Sequence, residues 1–244
     1  MRFDVLTLFP DMFNAVLGDS IVGRAQAAGL LEFNFVNIRD FSANKHKKTD
    51  DYPYSGGGGM LMTPQPIYDA YKSITADCEE KPHTIFMSPQ GQVFNQKKAV
   101  ELAGYDRLVF LCGHYEGVDQ RVLDMLVDEE ISVGDFVLTG GELPAMTVID
   151  AVARMIPGVL ADKSSYTNES HFSGLLEYPQ YTRPEEFMGV KIPEVLISGH
   201  HKNIEIWKRH KVLEATLKKR PDMLEKAELD ADDIKYLKQI GYEK

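Results

Sequence analysis

Apolar and polar positions fall into blocks whose lengths suit strands and helices in turn. Phe3 to Phe9 is an apolar run closed by Pro10, the pattern of a buried strand. Met12 to Ala28 carries apolar residues at helical spacing, with Gly29 placed to cap its C-terminus. Leu31 to Ile38 reads as a second strand, 39–66 as a loop, and Pro66 as the opening of another helix. Further strands are expected at Thr84 to Ser88, Leu108 to Cys112, Glu130 to Val133 and Phe136 to Leu138. Helices fill the gaps: one capped by Asn95 and running to Ala103, and one at Val118 to Val127 with Val118, Val122, Met125 and Leu126 on one face. A third runs from Leu143 to Met155. Strands separated by helices predict an α/β fold with a mostly parallel sheet.

The pattern changes at residue 160. Leu160 to Ser173 is polar and reads as a linker. Beyond it come scattered prolines, a helix from Asn203 to Arg220 stopped by Pro221, and a last helix near Asp232 to Ile240. In the longer helix Ile206, Leu213 and Leu217 share a face. The expected organisation is an α/β domain over 1–159, a linker over 160–173 and a small helical domain over 174–244.

At 244 residues and 43% apolar composition the chain can bury a sizeable core. No apolar run approaches the roughly 20 residues of a membrane helix. Met1-Arg2-Phe3-Asp4 lacks a signal-peptide pattern, so a cytoplasmic location is expected. Cys112 ends an apolar strand and reads as a small buried residue; Cys78 lies among acids, as in a surface loop. The net charge of −10 argues against non-specific coating of nucleic acid. The charge is uneven, however. Lys202, Lys208, Arg209, Lys211, Lys218, Lys219 and Arg220 face only Glu205 and Glu214 within the same stretch. Lys45-His46-Lys47-Lys48 is a second basic cluster. Either is a solvated face or a nucleic-acid contact.

Two stretches carry candidate chemistry. Tyr54-Ser55-Gly56-Gly57-Gly58-Gly59-Met60 permits close approach of a ligand, but the Gly-Lys-Ser/Thr of a P-loop is missing. A nucleotide hydrolase built on it is therefore excluded, and a flexible loop remains the alternative. The second stretch holds two glycine-bounded turns at strand ends, Gly113-His114-Tyr115-Glu116-Gly117 and Ser132 to Pro144. Such turns are where α/β sheets place ligands. Val133, Phe136 and Leu138 could sandwich a purine there. The histidines at 114, 200, 201 and 210 form no metal-ligand spacing.

These motifs resemble a family. Gly113-His114-Tyr115-Glu116-Gly117-Val118-Asp119-Gln120-Arg121, Ser132-Val133-Gly134-Asp135-Phe136-Val137-Leu138-Thr139-Gly140-Gly141-Glu142 and Gly174-Leu175-Leu176-Glu177-Tyr178-Pro179 through Pro184 are similar to those of the bacterial tRNA (guanine-37-N1) methyltransferases. The resemblance runs from Phe3 to His201. It implies the SPOUT fold, an α/β domain with a deep trefoil knot built from about residues 84 to 143, which the pattern alone never predicts. It implies that Ser88, Pro89, Gly113, Glu116, Val133, Gly134, Asp135, Phe136, Val137, Leu138, Gly140, Gly141 and Pro144 hold S-adenosylmethionine. It further implies a homodimer whose active site is completed by the second subunit. A Mg²⁺ requirement is associated with the family; nothing in this sequence marks a metal site.

Guanine N1 carries a proton at neutral pH, so a base must remove it as the methyl arrives. A positioned carboxylate contributes on the order of 10²–10⁴ in rate. The resemblance puts that base in the linker, at Asn168-Glu169-Ser170, where the family usually has Asp and this chain has Glu169. Arg154 is the candidate cation for charge developing on O6. The target base must leave its stack. Asp50, Gly56, Gly57 and Gly59 match substrate-site positions, although Ser55 and Gly58 replace the usual Gly and Pro, and Asp50 could serve solubility instead. Lys208, Arg209 and Lys211 are expected to contact the tRNA backbone. Two competing readings are a related methyltransferase acting on ribosomal RNA or a ribose hydroxyl, and an RNA-binding protein without catalysis.

Overall fold

The apolar runs of the first half pair side by side into one all-parallel sheet. In chain order the elements are β1 (Arg2–Thr7), α1 (Asp11–Leu17), α2 (Ser20–Ala27), β2 (Glu32–Asn37), β3 (Asp50–Asp51), β4 (Leu61–Met62), α3 (Pro64–Thr75), β5 (His83–Val93), α4 (Gln96–Leu102), β6 (Arg107–Cys112), α5 (Gln120–Leu126), β7 (Glu129–Ser132) and α6 (Glu142–Ala153). The sheet order is β2-β1-β6-β5-β7. A parallel sheet is covered on both faces, and the side chains alternate accordingly. Phe3, Val5, Ile85, Met87, Leu108, Phe110 and Cys112 pack with α1, α2, α4 and α6 residues. Leu6, Phe86, Val109 and Leu111 pack with α3 and α5 residues. Central β6 is buried on both sides from Leu108 to Cys112.

The computed structural model describes residues 1–56, 58–162, 164–167 and 169–242, so Gly57 and Asn168 lie outside the described residues. The chain divides into two compact units, Met1–Asp162 and Lys163–Lys244, a boundary inside the stretch read as a linker. The second unit contains α7 (Ser164–Thr167), a hairpin of β8 (Glu186–Phe187) and β9 (Val190–Lys191), α8 (His201–Lys219), α9 (Pro221–Leu224) and α10 (Ala231–Gln239). Leu175, Leu213, Leu224 and Leu237 form its core. No helix among the described residues is long and apolar enough to cross a membrane.

Several expectations are corrected. Met12 to Ala28 is two helices, because the chain turns at Gly18-Asp19 and Ser20 adopts φ +58°. Gly29 does cap the second, at φ +75°. Phe136 to Leu138 is not a strand; its three side chains are substantially exposed and pair with no other strand. The strand at Thr84 continues to Val93, with its register on β7 shifted between Met87 and Gln92. On α5 Leu123 is buried where Met125 was expected, and Met125 faces solvent. Ile206 on α8 is likewise exposed. Pro221 ends α8 and opens α9.

One ionic contact ties the amino ends of three strands. Asp4 is fully buried; its carboxylate accepts Arg2 Nη2 at 3.0 Å, Arg107 Nε at 2.8 Å and Asn34 Nδ2 at 2.6 Å. Burial pushes its pKa up, but these hydrogen bonds and the Arg107 charge outweigh that and hold it below the ordinary 3.8. Asp4→Asn breaks the ion pairs of a buried carboxylate with two partly exposed arginines and is expected to cost roughly 1–3 kcal/mol in urea unfolding at neutral pH. Because the folded-state value is depressed, the contribution is present above about pH 4 and is lost as the pH falls through that lower value. The gap between wild type and variant therefore narrows on acidification.

Candidate active site

The carboxyl ends of β5, β6 and β7 open into a cleft of about 250 Å³, just below the roughly 300–1,000 Å³ of typical ligand pockets. Its walls are two turns that lie against each other. The first, 113–117, leaves β6 with Tyr115 at φ +59°. The second, 133–141, leads into α6. They join where Gly141 N–H donates to Gly113 O at 2.9 Å and His114 pairs with Gly140. The approach admits no side chain at Gly141: a Cβ there would lie 2.8 Å from Cys112 Cα. Cys112 is fully buried, as expected, and burial, then the Glu142 charge, push its thiol pKa well up.

Eleven of the residues assigned to the cofactor line this cleft: Ser88, Pro89, Gly113, Glu116, Val133, Phe136, Val137, Leu138, Gly140, Gly141 and Pro144. Gly134 and Asp135 do not; the Gly134 carbonyl accepts Ser132 Oγ at 2.9 Å and shapes the turn. Gly117, a boundary of the first turn, lines the cleft too, and sequence reasoning missed Phe86, Met87, His114, Tyr115, Ile131, Ser132 and Thr139. Most flank assigned positions, so the turn as a unit was the signal. The apolar Val133, Phe136, Val137 and Leu138 form one wall, fit for a flat ring.

The glycine loop is fastened to the first turn. Glu116 N–H donates to Met60 O at 3.0 Å, Met62 N–H to Gly117 O at 2.9 Å and Asp119 N–H to Met62 O at 3.1 Å. Gly59, at φ +88°, leaves room that a Cβ would take from the Glu116 carboxylate, 2.5 Å from Oε1. Asp50 pairs with Met62 in the short β3–β4 hairpin and so reaches the same neighbourhood. Asp51 is held below the usual carboxylate range, by the Tyr52 N–H and then Lys48, and is committed locally. Gly56 is in the exposed part of the loop.

Arg154 caps the far end of α6 and is half-buried. Twelve residues at 1.5 Å rise put it about 18 Å along the helix from Glu142 and the cleft. Glu169, in the second unit, is half-buried, its N–H donating to Tyr166 O at 3.3 Å. Among the basic residues, Arg209 makes a two-pronged ion pair with Asp233, whose carboxylate is nearly buried. Lys208 pairs with Glu205 at 2.8 Å and stands over the Tyr178 ring at 5.3 Å; Lys211 pairs with Glu214 at 2.6 Å. Lys211, Lys218 and Lys219 line a groove of about 520 Å³ with Tyr178 and Glu177. No group of three or more His, Cys, Asp or Glu that could hold a metal occurs among the described residues.

A parallel sheet whose strand ends carry a glycine-walled, partly apolar cleft defines a nucleotide-type ligand site in an α/β enzyme class. Comparison with known proteins is specific. Residues 1–226 match the family described as "tRNA (Guanine-1)-methyltransferase TrmD". A tRNA (guanine-N(1)-)-methyltransferase of Ruminiclostridium cellulolyticum is 60% identical over 93% of this chain and 97% of its own length. One of Alkaliphilus metalliredigens is 51% identical across the whole of both chains. The crystal structure of tRNA (m1G37) methyltransferase from Aquifex aeolicus superimposes with a TM-score of 0.76 at 44% identity, covering 93% of this chain and 95% of that one. The chain belongs to the tRNA (guanine-1)-methyltransferase family and has its SPOUT fold class; its chemistry is methyl transfer to N1 of a guanine in tRNA.

Gly141→Ala tests the contact between the two turns. The β6 backbone must move to admit the methyl, at an expected cost of roughly 1–3 kcal/mol, seen as a lowered midpoint in thermal unfolding.

Proposed function

We propose that the methyl donor is S-adenosylmethionine, that the acceptor is guanine 37, and that two copies of the chain complete each active site. The observation that carries the donor assignment is the cleft between the turns at 113–117 and 133–141. Its two turns meet through Gly140 and Gly141, which leave no room for side chains, and its apolar wall suits an adenine ring. When bound, the donor supplies a sulfonium-activated methyl group. The chain's own task is then alignment of the guanine, removal of its N1 proton and stabilisation of charge on O6.

Glu169 is assigned the proton at N1. It replaces the family's usual aspartate and places the carboxylate one methylene further out. Arg154 is assigned O6. With α6 holding Arg154 about 18 Å from its own cleft, the reading that fits is a homodimer in which Arg154 of one copy serves the cleft of the other. The glycine loop, fastened to the 113–117 turn, carries Asp50 and Gly59 toward the entering base.

Incubation of the protein with labelled S-adenosylmethionine and unmodified tRNA, followed by mapping of the methyl, tests the assignment; label at N1 of guanine 37 is the expected result. A label on ribose, or on another base of the tRNA, would overturn it. In the same assay under single turnover, Glu169→Gln is expected to slow transfer by about 10²-fold or more. A rate near wild type removes Glu169 as the base.

The second unit is assigned to tRNA. Arg209 is held by both prongs on a nearly buried carboxylate, whereas the Glu214 pair of Lys211 is single and partly exposed, so the contacts are assigned to Lys211, Lys218 and Lys219 around their groove, with Lys208 on Tyr178 beside it. A triple Lys211/Lys218/Lys219→Ala variant is expected to weaken tRNA binding and flatten its salt dependence by about one unit of slope for each phosphate no longer neutralised. Filter binding across salt concentrations reads this; an unchanged slope makes the groove a solvated face.

A further inference from the structure

A buried carboxylate stands beside the cleft without a role so far. Glu142, the first residue of α6, is 2% exposed, and acids are almost never so buried unless paired. One oxygen accepts the Thr7 hydroxyl at 2.6 Å, and the other lies 2.7 Å from His114 Nε2. Thr7 Oγ1 also accepts the Phe9 N–H at 2.9 Å, and the Phe9 ring packs on the imidazole with centroids 4.9 Å apart. Among the described residues His114 is its one ion-pair partner. The carboxylate therefore joins three segments: the end of β1, the turn at 113–117 and the turn that enters α6.

The imidazole is part of the cleft wall. It occupies the space a side chain at Gly140 would need: a Cβ there would lie 2.2 Å from His114 Nε2 and 2.6 Å from Glu142 Oε2. Rotation of the ring would take it off Gly140 and change that wall, beside the backbone bridge between His114 and Gly140. Among the described residues the ring's one hydrogen-bond partner is Glu142, with Phe9 and Tyr115 packed against it.

We propose that Glu142 is a positioning residue for the methyl-donor cleft: its carboxylate, braced by Thr7, holds His114 in the orientation that keeps the two glycine turns together. This rests on the reading of the cleft as the S-adenosylmethionine site. As an acceptor, the carboxylate requires a proton on His114 Nε2. Replacement by Gln keeps the shape but introduces a donor and turns the imidazole to its other tautomer.

Calorimetric titration with S-adenosylhomocysteine of the wild type, Glu142→Gln, His114→Ala and the double variant tests the proposal. Glu142→Gln is expected to bind about tenfold or more weakly, while the double variant binds no more weakly than His114→Ala, because both changes break one linkage. Wild-type affinity in Glu142→Gln, or effects that multiply in the double variant, would overturn it. Absence of binding by the wild type overturns the reading of the cleft itself. Where Glu142→Gln does not fold, ¹⁵N NMR of the wild type decides, with the His114 signals assigned by their loss in His114→Ala. A protonated Nε2 at neutral pH is expected, and an unprotonated one overturns the proposal.

Discussion

The contact on which the site depends is backbone against backbone. Gly141 seats its N–H on the Gly113 carbonyl, and a Cβ on it would lie 2.8 Å from the Cys112 α-carbon, so there is no room for a side chain. Because β6 is the central strand and is buried on both faces, it yields only at a cost in packing. The turn that begins α6 is thereby set against a stiff edge. From that contact follow the cleft, the position of the Glu142 carboxylate and the direction of α6 itself.

The strands were legible because their burial on both faces leaves unbroken apolar runs, as in Leu108 to Cys112. The glycine turns were legible because a close backbone approach leaves a compositional trace. Phe136 to Leu138 was misread for a physical reason: an apolar side chain facing a ligand cleft is chemically identical to one facing a core. The break between α1 and α2 was hidden because Ser20 carries no sign of its positive φ. The Thr7–Glu142–His114 chain spans 135 residues of sequence and leaves one local clue, a threonine in an apolar strand.

Charge was the least legible property. A run of basic residues shows how many cations there are, not which are already neutralised. Arg209 and Asp233 meet across 24 residues, and Asp233 also caps α10 through a reciprocal pair of bonds with Asp230. The cation thus supports the packing of α8 and α10, and the surface left for a polyanion is narrower than the composition implies. The net charge of −10 has the same meaning: attraction to RNA must be local, because the protein as a whole repels it.

The Asp4 cluster and the cleft lie at opposite ends of the central strand β6, which starts at Arg107 and runs into Gly113. From Arg107 to Gly113 the strand covers about 20 Å of extended chain. Sites at that separation with no shared partner contribute to stability independently. The molecule thus has a keel at one edge of its sheet and a working edge at the other. Sequence drift that loosens the catalytic rim can be offset at the keel without disturbing the chemistry, which gives such an enzyme latitude to evolve.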